Sequence, residues 1–297
     1  MTAVDASYPV AAQKRSFFQR NPILRRLLKH KAFMVGAILF VVVAFVAIFA
    51  AVLTDADPNR MAVRFRFRPP SADFWFGTDN LGRSILARIF YGAQLSLGIG
   101  LAVVIMNAVF GVALGAASGY FKRLDNMLMR VTDALMAFPP VLLAMGIAAA
   151  LGPSSMTAAI ALAAVYIPRT ARIVRASVLV VREMEYVQAA LAMGASNWRI
   201  LRKHVLPNCM APLIVQLTFV FAYAVVTEAT LSFLGLGSPP PTPTWGNMIA
   251  EGRQYIRDAN WITLIPGLAL AVTVLSLNLL GDGLRDVLDP RLKISQD

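Results

Sequence analysis

Residues 134–168 read ALMAFPPVLLAMGIAAALGPSSMTAAIALAAVYIP, a run of 35 residues without Asp, Glu, Lys or Arg. As one helix this run would be about 52 Å long, whereas the hydrocarbon core of a bilayer is about 30 Å thick. Leu-Gly-Pro-Ser-Ser at 151–155 is a turn signal near its middle. We therefore predict two membrane-spanning helices joined by a tight hairpin. The second should continue past Arg169, Arg172 and Arg175, whose side chains can snorkel to the interface.

Four further uncharged runs are each long enough for a helix of about 20 residues. They cover residues 32–54, 89–121, 204–227 and 259–281. With 58% hydrophobic residues, the chain is more apolar than an ordinary soluble domain. The predicted fold is all-α, a polytopic membrane protein with six transmembrane helices.

The distribution of Lys and Arg supports six spans and orients them. With both termini in the cytoplasm, six spans place 20 of the 28 Lys and Arg residues inside, whereas five would leave 12 inside and 16 outside. Cytoplasmic loops are enriched in these residues, so six spans are favoured. The first outer loop is an exception, with arginines at 60, 64, 66, 68, 83 and 88 and aspartates at 55, 57, 73 and 79.

The spans divide the chain into five parts. We predict a cytoplasmic N-terminal segment at 1–31, a first transmembrane helix at 32–54, an extracytoplasmic loop at 55–91, a core domain at 92–281 and a cytoplasmic tail at 282–297. The core domain holds five spans and a cytoplasmic segment at 183–207. The first apolar run exceeds the roughly 7–15 apolar residues of a cleaved signal peptide, so we expect it to remain as an anchor.

Composition argues against several functional classes. The single cysteine, Cys209, allows no intrachain disulfide, and the two histidines, His30 and His204, lie far apart. No phosphate-binding loop of the Gly-x-x-x-x-Gly-Lys type and no His-Glu-x-x-His motif is present. The net charge of +12 fits cytoplasmic loops and anionic lipid rather than nucleic acid. We predict a non-enzyme without catalytic residues, metal or cofactor, in contact with membrane lipid, whose energy for transport comes from a partner.

Five polar residues in or near the spans are candidates to line a translocation path. They are Asn107, Thr132, Tyr223, Glu228 and Asn278. Hydrogen bonding between helices explains such residues at least as well. We expect Glu228 to face the outer mouth and be satisfied by loop backbone rather than to relay protons. Trp245 and Trp261, in the second outer loop at 234–261, are expected to be interfacial anchors.

Residues 186–208, YVQAALAMGASNWRILRKHVLPN, separate the fourth and fifth spans, and we call residues 183–207 the basic segment. Apolar and small residues recur there at steps of three or four, at 187, 190, 191, 194, 198, 201 and 205, which predicts one helix face. Gly194 is a break point and Ser196 a candidate cap, so we predict two short amphipathic helices joined by a hinge and ended by Pro207. Both a membrane-surface helix and a docking helix fit, and the small Ala189 and Ala190 favour docking.

The spacing within the basic segment resembles a family signature. Ala189-Ala190, three residues, Gly194, eleven residues and Leu206-Pro207 look like the EAA motif of binding-protein-dependent ABC importer permeases. Further stretches resemble the C-type permease of dipeptide, oligopeptide and nickel transporters: GTDNLGR (77–83), YGAQLSL (91–97), SFLGLG (232–237), TWGNM (244–248) and LGDGLRDVLDP (280–290). The resemblance covers roughly residues 20–293. It departs at Gln188, where the motif has Glu, and at His204, where a branched apolar residue is usual.

This resemblance implies a type I ABC importer permease fold in the bacterial cytoplasmic (inner) membrane. The chain would form half of a heterodimeric pore with a second, B-type permease, below an extracytoplasmic binding protein and above two ATPases that bind ATP and Mg²⁺. The substrate would be a dipeptide or oligopeptide. Residues implied in docking to the ATPase are Tyr186, Gln188, Ala189, Ala190, Gly194, Ser196, Arg199, Leu206 and Pro207.

Three alternatives stay open from the sequence. The same fold serves permeases for nickel or another small solute, and it also serves exporters, since direction is not encoded in the basic segment. A proton-coupled secondary transporter is a further alternative, and it predicts uptake that needs no ATPase. A structural assembly factor has no supporting feature beyond the basic loops.

Overall fold

The chain folds into helices joined by two long loops at one end of a bundle. The computed structural model describes residues 22–288, and within that range no strand forms; Thr78 and Ser84 make an isolated bridge. The predicted all-α fold is therefore confirmed. Of the predicted terminal segments, residues 1–21 and 289–297 lie outside the described range.

The helices follow one another in a simple order. The first three are α1 Pro22–Lys29, α2 Lys31–Ile48 and α3 Ala50–Leu53. Helix α4 Ile85–Met106 continues through a π-helical turn, Asn107–Gly111, into α5 Val112–Tyr120. They are followed by α6 Lys122–Met136, α7 Pro140–Leu151 and α8 Ser155–Arg182. The last five are α9 Glu185–Ala192, α10 Asn197–Ile200, α11 Met210–Phe233, α12 Trp245–Gly252 and α13 Trp261–Leu288.

Five helical stretches are long and apolar enough to cross a membrane. They are Lys31–Ile48, Ile85–Tyr120, Ser155–Arg182, Asn197–Phe233 and Trp261–Leu288. Helices α6 and α7 meet at 92° and give a sixth crossing if the pair is counted as one span. Helix α7 has only 12 residues, so the predicted third span of about 20 residues is in fact a broken pair. Pro139 and Pro140 account for the break, because a residue before proline is disfavoured in the helical conformation.

The tight hairpin predicted at residues 151–155 is confirmed. Gly152 adopts a left-handed conformation with φ +86° and ends α7. Ser154 then caps α8: its hydroxyl accepts a hydrogen bond from the Thr157 amide at 3.1 Å, and the Thr157 hydroxyl accepts one from the Ser154 amide at 3.0 Å. This reciprocal pair is a capping box, which satisfies two otherwise unpaired N–H groups at the helix start.

The bundle has two dissimilar ends. The loop end carries residues 49–84, the 151–155 hairpin and residues 234–260, and a 2.8 Å hydrogen bond between Ser155 and Ser238 joins two of these parts. The basic end carries the start of α2, the end of α13 and the basic segment. There the Nε2 atom of His30 lies 3.3 Å from the Oδ2 atom of Asp286. Helix α4 begins at Ile85, within the stretch predicted as the first long loop.

Close helix packing depends on a row of small residues on α5. Gly111, Gly115 and Gly119 face α8, and a Cβ added to Gly115 would lie 2.5 Å from the Ala171 carbonyl oxygen. Side chains at this position are therefore excluded by backbone rather than by a movable group. The Gly-rich stretch 111–115 therefore serves close helix packing. The row holds α5, and with it the basic end, firmly against α8.

Candidate functional site

The basic segment folds as two short helices around a sharp turn, as predicted. Gly194, with φ +80°, follows α9 in the left-handed conformation. Its amide donates to the Leu191 carbonyl at 3.0 Å, and the Ala195 amide donates to the Ala190 carbonyl at 3.1 Å. These two bonds form a Schellman motif, which requires a residue that tolerates positive φ. An added Cβ at Gly194 would have no atom within 4 Å, so backbone conformation rather than space demands glycine there.

The end of the basic segment differs from the prediction. Pro207 does not terminate the helical path, because a π-helical turn, Leu201–Val205, and a 3-10 turn, Leu206–Cys209, connect α10 to α11. The stretch Asn197–Phe233 therefore runs as one long helical unit into the membrane span. Ser196 occupies the cap position of α10 but its side chain makes no capping hydrogen bond. A displacement of the second half of the segment would be carried directly into the span.

One face of the basic segment is fixed to the bundle. Val187, Ala190, Ile200, Leu201 and Val205 are buried against Ala116 on α5 and Val174, Val178 and Val181 on α8. Ala190 is thus small because it packs inside the chain, whereas the prediction used it to admit a partner. Ala189 remains exposed. The segment is a rigid extension of α5 and α8 rather than a free loop.

The opposite face projects large apolar side chains away from the bundle. Trp198 is 67% exposed and Met193 is 82% exposed, and Tyr186 and Leu191 are also exposed. The prediction that Leu191 and Trp198 share one helix face with Val187 and Val205 is wrong, since Val187 and Val205 are buried. Trp198 lies beyond the turn at Gly194, which changes the direction of the chain, so a helical period counted across the turn does not keep this residue on the same side.

The predicted docking residues lie in or beside two separate grooves and at the junction between the basic segment and α11. Tyr186, Ala190, Gly194 and Arg199 line a groove of about 370 Å³ together with His204. Gln188 borders a second groove, of about 700 Å³, and donates a 2.9 Å hydrogen bond to the Arg182 carbonyl. Ala189 and Ser196 are exposed beside these grooves, and Leu206 and Pro207 form the junction to α11.

Gln188 and His204 therefore both act within the chain. The Gln188 amide caps the end of α8, since Arg182 is the last residue of that helix. The imidazole of His204 lies beside the Tyr186 ring, with centroids 6.4 Å apart. The hydroxyl of Tyr120 donates to the Asn197 side chain at 3.1 Å and ties α10 to α5. These polar bonds add to the apolar contacts that hold the segment in place.

Three of the five candidate path residues are enclosed by the chain itself. Asn107 donates to the Val103 carbonyl at 2.9 Å and accepts from Thr170 at 3.0 Å, and Thr132 donates to the Met129 carbonyl at 2.8 Å. Glu228 is fully buried and accepts hydrogen bonds from Ser96 at 3.1 Å and Ser232 at 2.6 Å.

Glu228 is thus satisfied by two serine hydroxyls rather than by the loop backbone that we expected. Its contact with Ser96 joins α11 to α4. Asn278 is half-buried on α13, and Tyr223 is exposed on α11. A role of any of the five in the path stays a prediction.

Helices α8, α11 and α13 enclose a cavity of about 580 Å³ that reaches the basic end. Its polar lining consists of Arg169, Asn208, Gln216 and Arg285, and its apolar lining includes Phe219. That Arg169, Arg172 and Arg175 snorkel to the interface stays a prediction. Two of these arginines do not remain free within the chain.

Arg172 and Arg175 pair instead with Asp133 at 2.5 Å and Asp125 at 2.6 Å. Arg169 lies over the ring of Tyr223, with its guanidinium carbon 5.6 Å from the ring centroid.

Two arginines of the loop end are buried, although the sequence analysis assigned them to an exposed outer loop. Arg83 pairs with Asp79 at 2.6 Å and with Glu251 at 2.5 Å, and Arg88 pairs with Glu251 at 3.1 Å. Arg88 is 1% exposed. Two of the six arginines that run against the positive-inside rule are therefore internal ion-pair partners, and they do not count as loop charge.

Trp245 is buried, so its prediction as an interfacial anchor is wrong, whereas that of Trp261 stays a prediction. Trp245, 1% exposed, starts α12 and donates to the Ile89 carbonyl at 3.3 Å. Trp261 donates to the Thr78 carbonyl at 3.1 Å. Helix α12 was not predicted, although Thr244, which caps it through a 3.1 Å bond from the Asn247 amide, is a recognisable start signal.

Comparison with known families decides what kind of membrane protein carries this segment. The family model described as the binding-protein-dependent transport system inner membrane component matches residues 107–294. The chain belongs to that family. A second model, the N-terminal transmembrane domain of oligopeptide transport permease C, matches residues 16–70. This permease is therefore a multi-pass inner membrane protein, as predicted.

Curated relatives align with the permease over almost its whole length. A putative peptide transport system permease protein of Brucella abortus is 56% identical over 93% of this chain and 94% of its own. The dipeptide transport system permease protein DppC of Alkalihalophilus pseudofirmus is 43% identical over 99% and 97%. The di/tripeptide transport system permease protein DppC of Pseudomonas aeruginosa is 44% identical over 89% and 90%.

A solved structure shares the fold. A chain of the MetNI methionine ABC transporter, determined in inward-facing conformations, superposes with a TM-score of 0.55 at 20% identity. The match covers 67% of this chain and 95% of that chain. The predicted type I ABC importer permease fold is confirmed. Within residues 22–288 no group of three or more His, Cys, Asp or Glu side chains is placed to hold a metal ion.

Proposed function

We propose that this permease is one half of a heterodimeric pore in an ATP-driven, binding-protein-dependent importer of dipeptides or oligopeptides. Its relatives that are named for peptide, dipeptide and di/tripeptide transport support the substrate class. One observation carries the mechanism: the basic segment presents exposed Trp198, Met193 and Tyr186 on a base that is packed against α5 and α8.

The partners follow from this surface. A cluster of exposed aromatic and apolar side chains beside Arg199 has the composition of a protein-binding hot spot. We assign it to a cytoplasmic ATPase, with a second ATPase under a second, B-type permease. ATP and Mg²⁺ would be bound by those ATPases, and this chain would carry no catalytic residue. The binding protein would dock at the loop end.

The proposed orientation places the basic end in the cytoplasm. Six spans with both termini inside put 20 of the 28 Lys and Arg residues on that side. Two of the arginines on the opposite side, Arg83 and Arg88, are buried in ion pairs, so the charge asymmetry of the exposed surface is larger than the sequence count. The terminal segments 1–31 and 282–297 would then both be cytoplasmic.

Coupling would use the continuity between the basic segment and the spans. ATP-driven closure of the ATPases would draw the two basic segments of the heterodimer together. Since α10 passes without interruption into α11, the displacement would be transmitted to the span itself. The pore would rock between inward-open and outward-open states, whose populations are set by the differential binding of ATP and of the binding protein.

A variant of Gly194 tests this function. In proteoliposomes that hold the complete transporter, we expect uptake of labelled Ala-Ala to need ATP and the binding protein. Gly194→Val should reduce that uptake at least about tenfold, because a β-branched residue at φ +80° is strained and must displace the turn. Gly98→Val is the matched control, since Gly98 has ordinary helical φ and open space around it.

Each competing function gives a different result in the same assay. Uptake that persists without ATP and collapses with the proton gradient would identify a secondary transporter. The side of the vesicle that contains the ATPases corresponds to the cytoplasm. Movement of labelled peptide out of that side would identify an exporter. Uptake of labelled nickel but not of peptide would show that the substrate is nickel rather than a peptide. Full uptake by Gly194→Val would contradict the coupling role of the segment.

A further inference from the structure

Arg169 is an unusual charge in this membrane protein because its exposed side chain belongs to a helix long and apolar enough to cross the membrane. It lies near the middle of α8, a helix of 28 residues, about 21 Å along the axis from Ser155. Charged side chains within membrane-spanning helices are costly and mark functional positions. On the following turns Arg172 and Arg175 have carboxylate partners. Within residues 22–288 no carboxylate lies within ion-pair distance of Arg169, whose closest described stabilising contact is the Tyr223 ring.

The surroundings of Arg169 form a place where a ligand fits. It lines the 580 Å³ cavity between α8, α11 and α13, a volume within the range of about 300–1,000 Å³ for small-molecule sites. Gln216 lines the same cavity and is only 6% exposed. The side-chain hydrogen bonds found within residues 22–288 do not include one to the Gln216 amide. The cavity thus offers a cation and an amide without a partner, beside the aromatic ring of Phe219.

This combination selects a carboxylate. A guanidinium binds a carboxylate through two parallel hydrogen bonds, and an amide N–H can donate a third.

We propose that Arg169 and Gln216 form a station on the translocation path that receives the carboxylate of the transported solute. The station rests on the proposed function, and for a peptide importer its ligand is the C-terminal carboxylate of a short peptide. The path then runs along α11 from the level of Tyr223, past Gln216 and Phe219, to Asn208 at the basic end. Arg285 lines the same cavity near its exit.

The test compares a carboxylate with its neutral analogue in the complete transporter. Proteoliposomes of phosphatidylcholine are loaded with the wild-type or Arg169→Gln complex, and uptake of labelled Ala-Ala and of its C-terminal amide is measured at saturating binding protein. We expect Arg169→Gln to lower uptake of Ala-Ala about tenfold and to leave uptake of the amide unchanged. The binding protein is the same in all samples, so its own preference cancels. Arg169→Lys should retain part of the selectivity.

Arg172→Gln is the control for loss of a charge on α8, because Arg172 points to Asp133 and does not line the cavity. Equal loss of both substrates in Arg169→Gln would overturn the station. So would failure of this variant to copurify with the second permease, which would make Arg169 a subunit contact. A defect seen only when phosphatidylglycerol is added would indicate a lipid site instead. Absence of any peptide uptake by the wild type would overturn the proposed function, and the station for peptides with it.

Discussion

The two ends of the permease use similar residues in opposite ways. At the loop end Arg83, Arg88 and Trp245 are buried, with the arginines paired to Asp79 and Glu251. At the basic end Arg199 and Trp198 point away from the bundle. Arginine and tryptophan thus complete the structure at the loop end and remain available for a partner at the basic end. Side-chain type alone does not distinguish an internal brace from a docking surface.

The strongest test of this contrast removes Glu251, the acid shared by Arg83 and Arg88. Glu251→Ala leaves two arginines without this partner, one of them 1% exposed, and should lower the free energy of unfolding by about 3 kcal/mol. The measurement is the thermal unfolding midpoint of the detergent-solubilised protein. Arg199→Ala, at the basic end, should change the free energy of unfolding by less than about 0.5 kcal/mol. Equal stability of the two variants would contradict the internal role of the loop-end arginines.

A second test concerns the packing that holds the basic end in place. Gly115→Ala puts a methyl group 2.5 Å from the Ala171 carbonyl oxygen, so α5 and α8 must separate, at a cost of about 2 kcal/mol. Gly98→Ala adds the same group on α4 where nothing lies within 4 Å. The thermal unfolding midpoint of Gly115→Ala should therefore be clearly lower than that of Gly98→Ala. A Gly115→Ala protein as stable as Gly98→Ala would show that the helices are not in close contact.

The smallest effect distinguishes two serines that occupy the same cap position at opposite ends. Ser154 makes a 3.1 Å capping bond at the start of α8, whereas the Ser196 side chain makes none at the start of α10. Ser154→Ala should therefore cost about 1 kcal/mol and Ser196→Ala close to nothing. Chemical unfolding of the two variants measures the difference. A larger loss for Ser196→Ala would mean that its hydroxyl caps α10 after all.

Local signals in the sequence predicted the parts of this fold that depend on neighbouring residues. The hairpin at Gly152 and the turn at Gly194 were both identified because each needs a residue that tolerates positive φ. The broken crossing made of α6 and α7 was not, although Pro139-Pro140 is a local signal for a break. Charge counting favoured six crossings, which the structure matches if α6 and α7 are counted as one span, even though two arginines were misplaced on an exposed loop.

The long-range contacts could not be predicted. Glu251 lies 168 residues from Arg83, and no periodicity connects them. The direction of Trp198 depends on the turn at Gly194, which a helical repeat ignores. Arg169 resembled its neighbours on α8 in sequence, and it was set apart only when Asp125 and Asp133 proved to pair with Arg175 and Arg172.

The central claim is that the exposed face of the basic segment binds an ATPase, and Trp198→Ala tests it most directly. Binding of the purified ATPase to the detergent-solubilised permease pair would be measured for the wild type and for this variant, with Leu268→Ala, an exposed apolar residue on α13, as the control. We predict that Trp198→Ala raises the dissociation constant about thirtyfold while the unfolding temperature stays the same, because a side chain that is 67% exposed contributes little to internal packing. An unchanged dissociation constant in Trp198→Ala would contradict the account.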